Sequence, residues 1–354
     1  MYSNVGLGIL LVVIGGVMEG IYAVPTRYTP RWKWEHIWGG GSLMSILLVA
    51  WLTIPAPLQV LREAGASSLL MTSLFGAAWG LGGIFFGLGV EIVGIAVGVS
   101  LILGLIAVVG SALPLLIYKP EQVATPGGQL LLGALAIMIV GIVLCGYAGR
   151  LRQRAAQDVA VAAVAGGSET VVAPAASQNR SKFKLGMFFC ILSGVLSPMV
   201  NFAVIKGDTL RALAIQHGAS PLWAMNAVWL LVFTVAYGVF VIYALFLMAK
   251  NKTFSEWIHP PTGKYWGLAI TMGLLWGGGV ILYGAGVSYM GSLGAYAGWP
   301  LLLVAAIAGS NVSAILIGEW KGASKKPSRV MSAALAVLVL AAIMLGFANR
   351  MLAA

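Results

Sequence analysis

GAAWGLGGIFFGLGVEIVG, residues Gly76 to Gly94, comes back as GLLWGGGVILYGAGVSYMG, residues Gly273 to Gly291. Slid by a constant 197 residues with no gap, Gly76, Trp79, Gly80, Gly82, Ile84, Gly87, Gly89, Val90 and Gly94 fall on Gly273, Trp276, Gly277, Gly279, Ile281, Gly284, Gly286, Val287 and Gly291. Nine identities in nineteen positions mark an internal repeat. Each copy is apolar and close to the roughly 20 residues a helix needs to cross a bilayer. The chain therefore reads as two related membrane halves.

Composition supports a membrane setting. Of 354 residues, 60% are hydrophobic and 9% charged, against about 25% charged in soluble domains. So few charges could not cover a soluble fold of this length. The 47 glycines suit helices that approach closely in lipid, where no hydrophobic drive pulls helices together. The net charge of +11 does not point to nucleic acid, because the basic residues sit in short loops between apolar runs. Cys145 and Cys190 fall inside predicted spans, at no metal spacing and with no disulfide framework. The N-terminus has no basic region and cleavage site of a signal peptide, so the first span is expected to stay.

Ten apolar spans are predicted, at approximately 5–24, 36–54, 69–90, 92–118, 130–149, 184–205, 221–249, 265–287, 293–317 and 328–348. The third and fourth nearly touch, as do the eighth and ninth. Pro114 and Pro300 are candidate kinks. Residues 150–183 form the longest polar break, low in complexity between two basic clusters, and are expected to be a flexible linker. They divide the chain into spans one to five (1–149) and six to ten (184–354). Counting Lys and Arg in loops and adjoining span ends puts 16 on one side and 5 on the other. The side with 16 is expected to be cytoplasmic, with both termini periplasmic. An odd number of spans per half turns the second half over. The expected fold is an all-α integral membrane protein of ten transmembrane helices in a five-plus-five inverted repeat, as in secondary transporters.

VPTRYTPRWKWEHIW (Val24 to Trp38), the Trp- and Gly-rich run FGAAWGLGGIFFGLG, and GEWKGASKKP (Gly318 to Pro327) resemble the L-rhamnose–proton symporter family nearly end to end. That family belongs to the drug/metabolite transporter superfamily. The resemblance implies the same inverted-repeat fold and proton-driven sugar uptake across the bacterial inner membrane.

Glu19 is the foremost candidate for proton coupling. It lies deep in the first span, with Gly15, Gly16, Tyr22 and Ala23 on its face at helical spacing. A carboxylate in the bilayer is expensive and is expected to face the bundle interior or a water-filled cavity. Glu91 ends the third span and is a second candidate, although the water interface at the tight turn accounts for it as well. Its repeat partner is Ser288.

A sugar needs hydrogen-bonding groups for its hydroxyls and an aromatic face for its apolar side. Asn201, Asn226 and Asn311 are amides in apolar surroundings, and each could instead bond helix to helix. Trp79 and Trp276, duplicated by the repeat, are candidate stacking platforms or core aromatics. Tyr22, Trp229, Tyr283, Tyr296 and Trp299 complete the candidate lining. No phosphate-binding loop, nucleophile elbow, zinc motif or cofactor site is present in the sequence, so the expected partners are a small substrate, protons and membrane lipid. A scattered Glu, Asn and Tyr set makes a poor catalytic centre, which argues against an enzyme. A transporter or exporter of small amphipathic metabolites on the same fold stays open. Spans eight and nine favour it, having few hydrogen-bonding groups beyond Tyr283, Ser288, Tyr289, Ser292 and Tyr296.

Overall fold

The computed structural model describes residues 4–41, 47, 51, 53–93, 95–165, 180–259, 262–291, 294, 298–318 and 325–353. Among them the regular structure is helical throughout. The principal helices are α1 (Val5–Ile21), the short α2 (Trp34–His36, continuing as a π-turn over Ile37–Gly41), α3 (Ala66–Val93), and α4 (Ile95–Ala107, Val108–Ala112 and Leu113–Tyr118). There follow α5 (Pro126–Ala165), α6 (Arg180–Leu196 and Met199–Lys206), α7 (Asn226–Asn251), α8 (Thr262–Met290), α9 (Trp299–Leu316) and α10 (Lys325–Ala353). Nine helices among the described residues are long and apolar enough to cross a membrane. The other predicted span, 36–54, falls partly outside the described residues.

The expected linker is partly helical. α5 runs on through Arg150, Arg152 and Arg154 to Ala165, and α6 already begins at Arg180. The reason is local: residues 155–165 are rich in Ala, the strongest helix former. Residues 166–179 lie outside the described residues.

Glycine decides how the helices cross. α1 lies against α8 and α9, and α6 lies against α3 and α4. A methyl group at Gly15 would stand 2.5 Å from the Gly279 carbonyl oxygen, and one at Gly8 would stand 2.8 Å from that of Gly286. The α6–α3 crossing is built the same way. A methyl at Gly82 would stand 2.7 Å from the Ser197 nitrogen, and one at Gly89 would stand 3.0 Å from that of Cys190. These are backbone-to-backbone contacts that only a missing Cβ permits, the small-residue packing that holds helices in lipid. α5 and α10 pair apart from this core, burying Leu131, Leu135 and Met138 against Leu338, Ala341 and Leu345. Leu10, Ile14, Leu74, Ile242, Phe246 and Phe347 are exposed on the outer surface, as a lipid-facing wall requires.

The loop after α1 docks on the loop between α7 and α8. Trp32 Nε1 donates to the Glu256 carbonyl (2.9 Å), Trp257 Nε1 donates to the His36 carbonyl (3.1 Å), and Arg31 pairs with Glu256 (3.3 Å). Buried Glu35 accepts from Asn251 Nδ2 (3.2 Å). This is the basic end of the bundle. At the far end, Glu63 after α2 pairs with His217 before α7 at 3.0 Å.

Candidate transport site

Glu19 projects from the last turn of α1, where Gly279 of α8 makes room for it. A methyl at Gly279 would lie 2.9 Å from the Glu19 Cγ. Beside it opens a cavity of about 450 Å³, within the range of about 300–1,000 Å³ of small-molecule sites. Tyr22, Phe86 of α3, Leu103 of α4, Arg152 of α5, and Ser310 and Asn311 of α9 share its lining with Glu19. A smaller neighbouring space of about 360 Å³ shares Gly20, Ala23, Ser310 and Ala314 and reaches Thr26 and Arg27, so the pair leads to the basic end. Among the described residues Glu19 Oε1 is buried without a hydrogen-bond partner. An uncompensated ion in such a place costs several kcal/mol, which ties the charge state of Glu19 to what fills the cavity.

Sequence reasoning placed Tyr22 on the face of Glu19 and Asn311 apart from them, and the structure brings all three to one cavity. Asn311 Nδ2 donates to the carbonyl of Ile307 on its own helix (2.8 Å). Tyr22 packs edge-on against Trp38, ring centres 5.8 Å apart.

The aromatic candidates meet elsewhere, in the middle of the bundle. Trp79 and Trp276, the two repeat copies, stack on each other at 5.1 Å and 15°. Phe233 touches both, at 5.7 Å each. From Phe233 the contacts continue through Trp229 (5.6 Å) and Tyr283 (6.3 Å) to Trp299 (5.6 Å). Trp229 and Tyr283 are fully buried. Tyr283 donates its hydroxyl to Asn201 Oδ1 (2.8 Å), and Asn201 Nδ2 donates to the Gly110 carbonyl (2.6 Å). Asn226 bonds Thr53 Oγ1 (2.8 Å), joining α7 to residues before α3. Glu91 is exposed at the end of α3 and does not line the cavity. Tyr296 lies outside the described residues.

Four contributors escaped sequence reasoning. Phe86, Ser310 and Arg152 join the cavity from three different helices, and nothing local in the sequence marks them. The Gly110 carbonyl had a visible signal in Pro114, which has no N–H to offer the carbonyl four residues back. Among the described residues no group of three His, Cys, Asp or Glu side chains stands at metal-binding distance.

A family model described as L-rhamnose-proton symport protein (RhaT) matches residues 1–351. The chain belongs to the RhaT family. A protein named L-rhamnose-proton symporter from Yersinia pestis (strain Pestoides F) is 24% identical over 359 residues, covering 98% of each chain. One of the same name from Cronobacter sakazakii (strain ATCC BAA-894) is 25% identical over 357 residues, again covering 98% of each. As a RhaT-family member the chain is a membrane transporter rather than an enzyme.

Proposed function

We propose that this protein takes up L-rhamnose or a similar deoxyhexose together with protons, by alternating access. The observation that carries the reading is Glu19: a carboxyl with a buried oxygen that has no partner among the described residues, beside a cavity of about 450 Å³. Its family and the names of its relatives supply the cargo. Glu19 takes up and releases the proton. Ser310, Asn311 and Tyr22 offer hydrogen bonds to sugar hydroxyls, and Phe86 and Leu103 meet the apolar face and methyl group. Asn201, Asn226, Trp79, Trp229, Trp276, Tyr283, Trp299 and Tyr296 are candidates for the remainder of the path, and Glu91 is the coupling candidate to test next if Glu19 proves structural.

The halves 1–149 and 184–354 are inverted copies of one five-helix unit, within the drug/metabolite transporter superfamily. The exchange of partners, α1 on α8 and α6 on α3, supports this arrangement. The basic end faces the cytoplasm of a bacterial inner membrane, with both termini periplasmic, on the 16-to-5 split of basic residues.

The test is uptake of labelled L-rhamnose by purified protein in liposomes, with and without an imposed pH gradient. Accumulation only with the gradient is expected. Transport of an amphipathic metabolite in place of any sugar would overturn the reading in favour of the other function on this fold.

A further inference from the structure

The two glycine crossings fix a register that the sequence repeat alone does not contain. Gly279 and Gly286 of α8 are the repeat copies of Gly82 and Gly89 of α3, each 197 residues on. Their partners are Gly15 and Gly8 in α1, and Ser197 and Cys190 in α6. Gly15 to Ser197 is 182 residues, as is Gly8 to Cys190, so α1 corresponds to α6 with an offset of 182. Position 19 plus 182 is position 201. Asn201 is therefore the counterpart of Glu19.

The surroundings correspond as well. Phe86, in the Glu19 cavity, is the copy of Tyr283, which bonds Asn201. Ile307 and Asn311 of α9 lie beside Glu19, as Gly110 and Pro114 of α4 lie beside Asn201. Around Glu19, Asn311 caps the Ile307 carbonyl from within its own helix, and Glu19 Oε1 is left without a partner beside open space. Around Asn201 the arrangement is shut. Pro114 withholds its N–H from the Gly110 carbonyl, Asn201 Nδ2 takes that carbonyl, Tyr283 donates to Asn201 Oδ1, and Asn201 and Tyr283 are fully buried.

From this we infer that Asn201, Tyr283 and the Gly110 carbonyl form a second binding site for the hydroxyls of a neutral polyol, the far-end counterpart of the Glu19 cavity, latched shut in this conformation. The ligand class rests on the transport reading above. Opening α4 away from α6 breaks the Asn201–Gly110 bond and releases an amide donor and a carbonyl acceptor beside the Tyr283 hydroxyl, which suits a chain of sugar hydroxyls arriving from the far side. Asn201 carries no charge in either state, so this site binds substrate without taking up a proton. The Glu19 carboxyl sits at the opposite mouth.

The test uses the full chain in liposomes with Cys145 and Cys190 replaced by Ala. Val204, buried in α6 between Asn201 and the far end, is changed to Cys and exposed to a membrane-impermeant thiol reagent from the far side. Asn201→Ala is expected to raise labelling of V204C about tenfold and to raise the far-side KM for L-rhamnose about fivefold. Labelling of A23C from the basic end is expected to fall in parallel. Tyr283→Phe, which removes one hydroxyl and keeps the ring, is expected to act in the same direction more weakly and serves if Asn201→Ala does not fold. Labelling of V204C within about twofold of the parent in both variants, or an unchanged KM, would overturn the inference. A parent protein that takes up no rhamnose overturns the transport reading instead, and the labelling still decides whether Asn201 is a latch.

Discussion

Glu19 is held where its backbone is safe and its carboxyl is not. The glycines beside it let α1 reach α8 and α9, and among the described residues its Oε1 atom has no donor. Glu19→Gln keeps size and much of the hydrogen bonding but cannot ionise. Gradient-driven accumulation of substrate is expected to collapse in that variant, exchange of substrate across the membrane to persist, and binding to lose its pH dependence. Uptake, counterflow and binding at several pH values distinguish these outcomes. Normal accumulation with normal pH dependence would make Glu19 structural. Glu91, exposed at the end of α3, supplies the contrast: Glu91→Gln is expected to keep accumulation within about twofold, as surface substitutions usually shift energies by no more than about 0.5 kcal/mol.

At the scale of helices, the α1–α8 crossing leaves no room for a side chain. Gly15→Ala places a methyl against the Gly279 carbonyl and is expected to cost about 1–3 kcal/mol by overpacking, read as a lower midpoint in a detergent unfolding series. Gly87→Ala in α3, which meets nothing within 4 Å, is expected to be neutral or to gain up to about 1 kcal/mol from helix propensity. Equal losses in both would show that the crossing is looser than drawn. These helices were legible in the sequence because apolar length and glycine spacing are local properties. The equivalence of Trp79 and Trp276 was legible for the same reason, since α3 and α8 kept the same residues at one offset. The equivalence of Glu19 and Asn201 was hidden. α1 and α6 diverged in residue type, and the offset differs by the length of intervening loops, so only the glycines each one touches reveal the match. The helical run to Ala165 was missed because an Ala-rich, weakly patterned stretch resembles a linker when read for apolar period alone.

At the scale of the molecule, each half supplies what the other lacks: α1 packs into the second half and α6 into the first. Neither half is therefore expected to form a stable body by itself, and co-expression of 1–165 with 166–354 is expected to restore transport that either fragment alone does not give. Inactive co-expressed fragments would argue that residues near 165 must be continuous. Orientation has its own check. A C-terminal alkaline phosphatase fusion, active only outside the cytoplasm, is expected to be active, whereas a fluorescent reporter that matures only in the cytoplasm is expected to be dark; the reverse would contradict the placing of the basic end in the cytoplasm. The Trp79–Trp276 pair also gives the molecule an optical signature. Two indoles stacked at 5.1 Å share their excited states and produce a paired, opposite-signed band in circular dichroism that a lone indole does not. Because one ring rides on α3 and the other on α8, any stroke that shears these helices changes the band, and Trp276→Phe removes this pair's share of it, leaving that of Trp32 and Trp266 (5.3 Å). The transporter thus carries an unlabelled reporter of its own working cycle, readable in the same liposomes that measure its turnover.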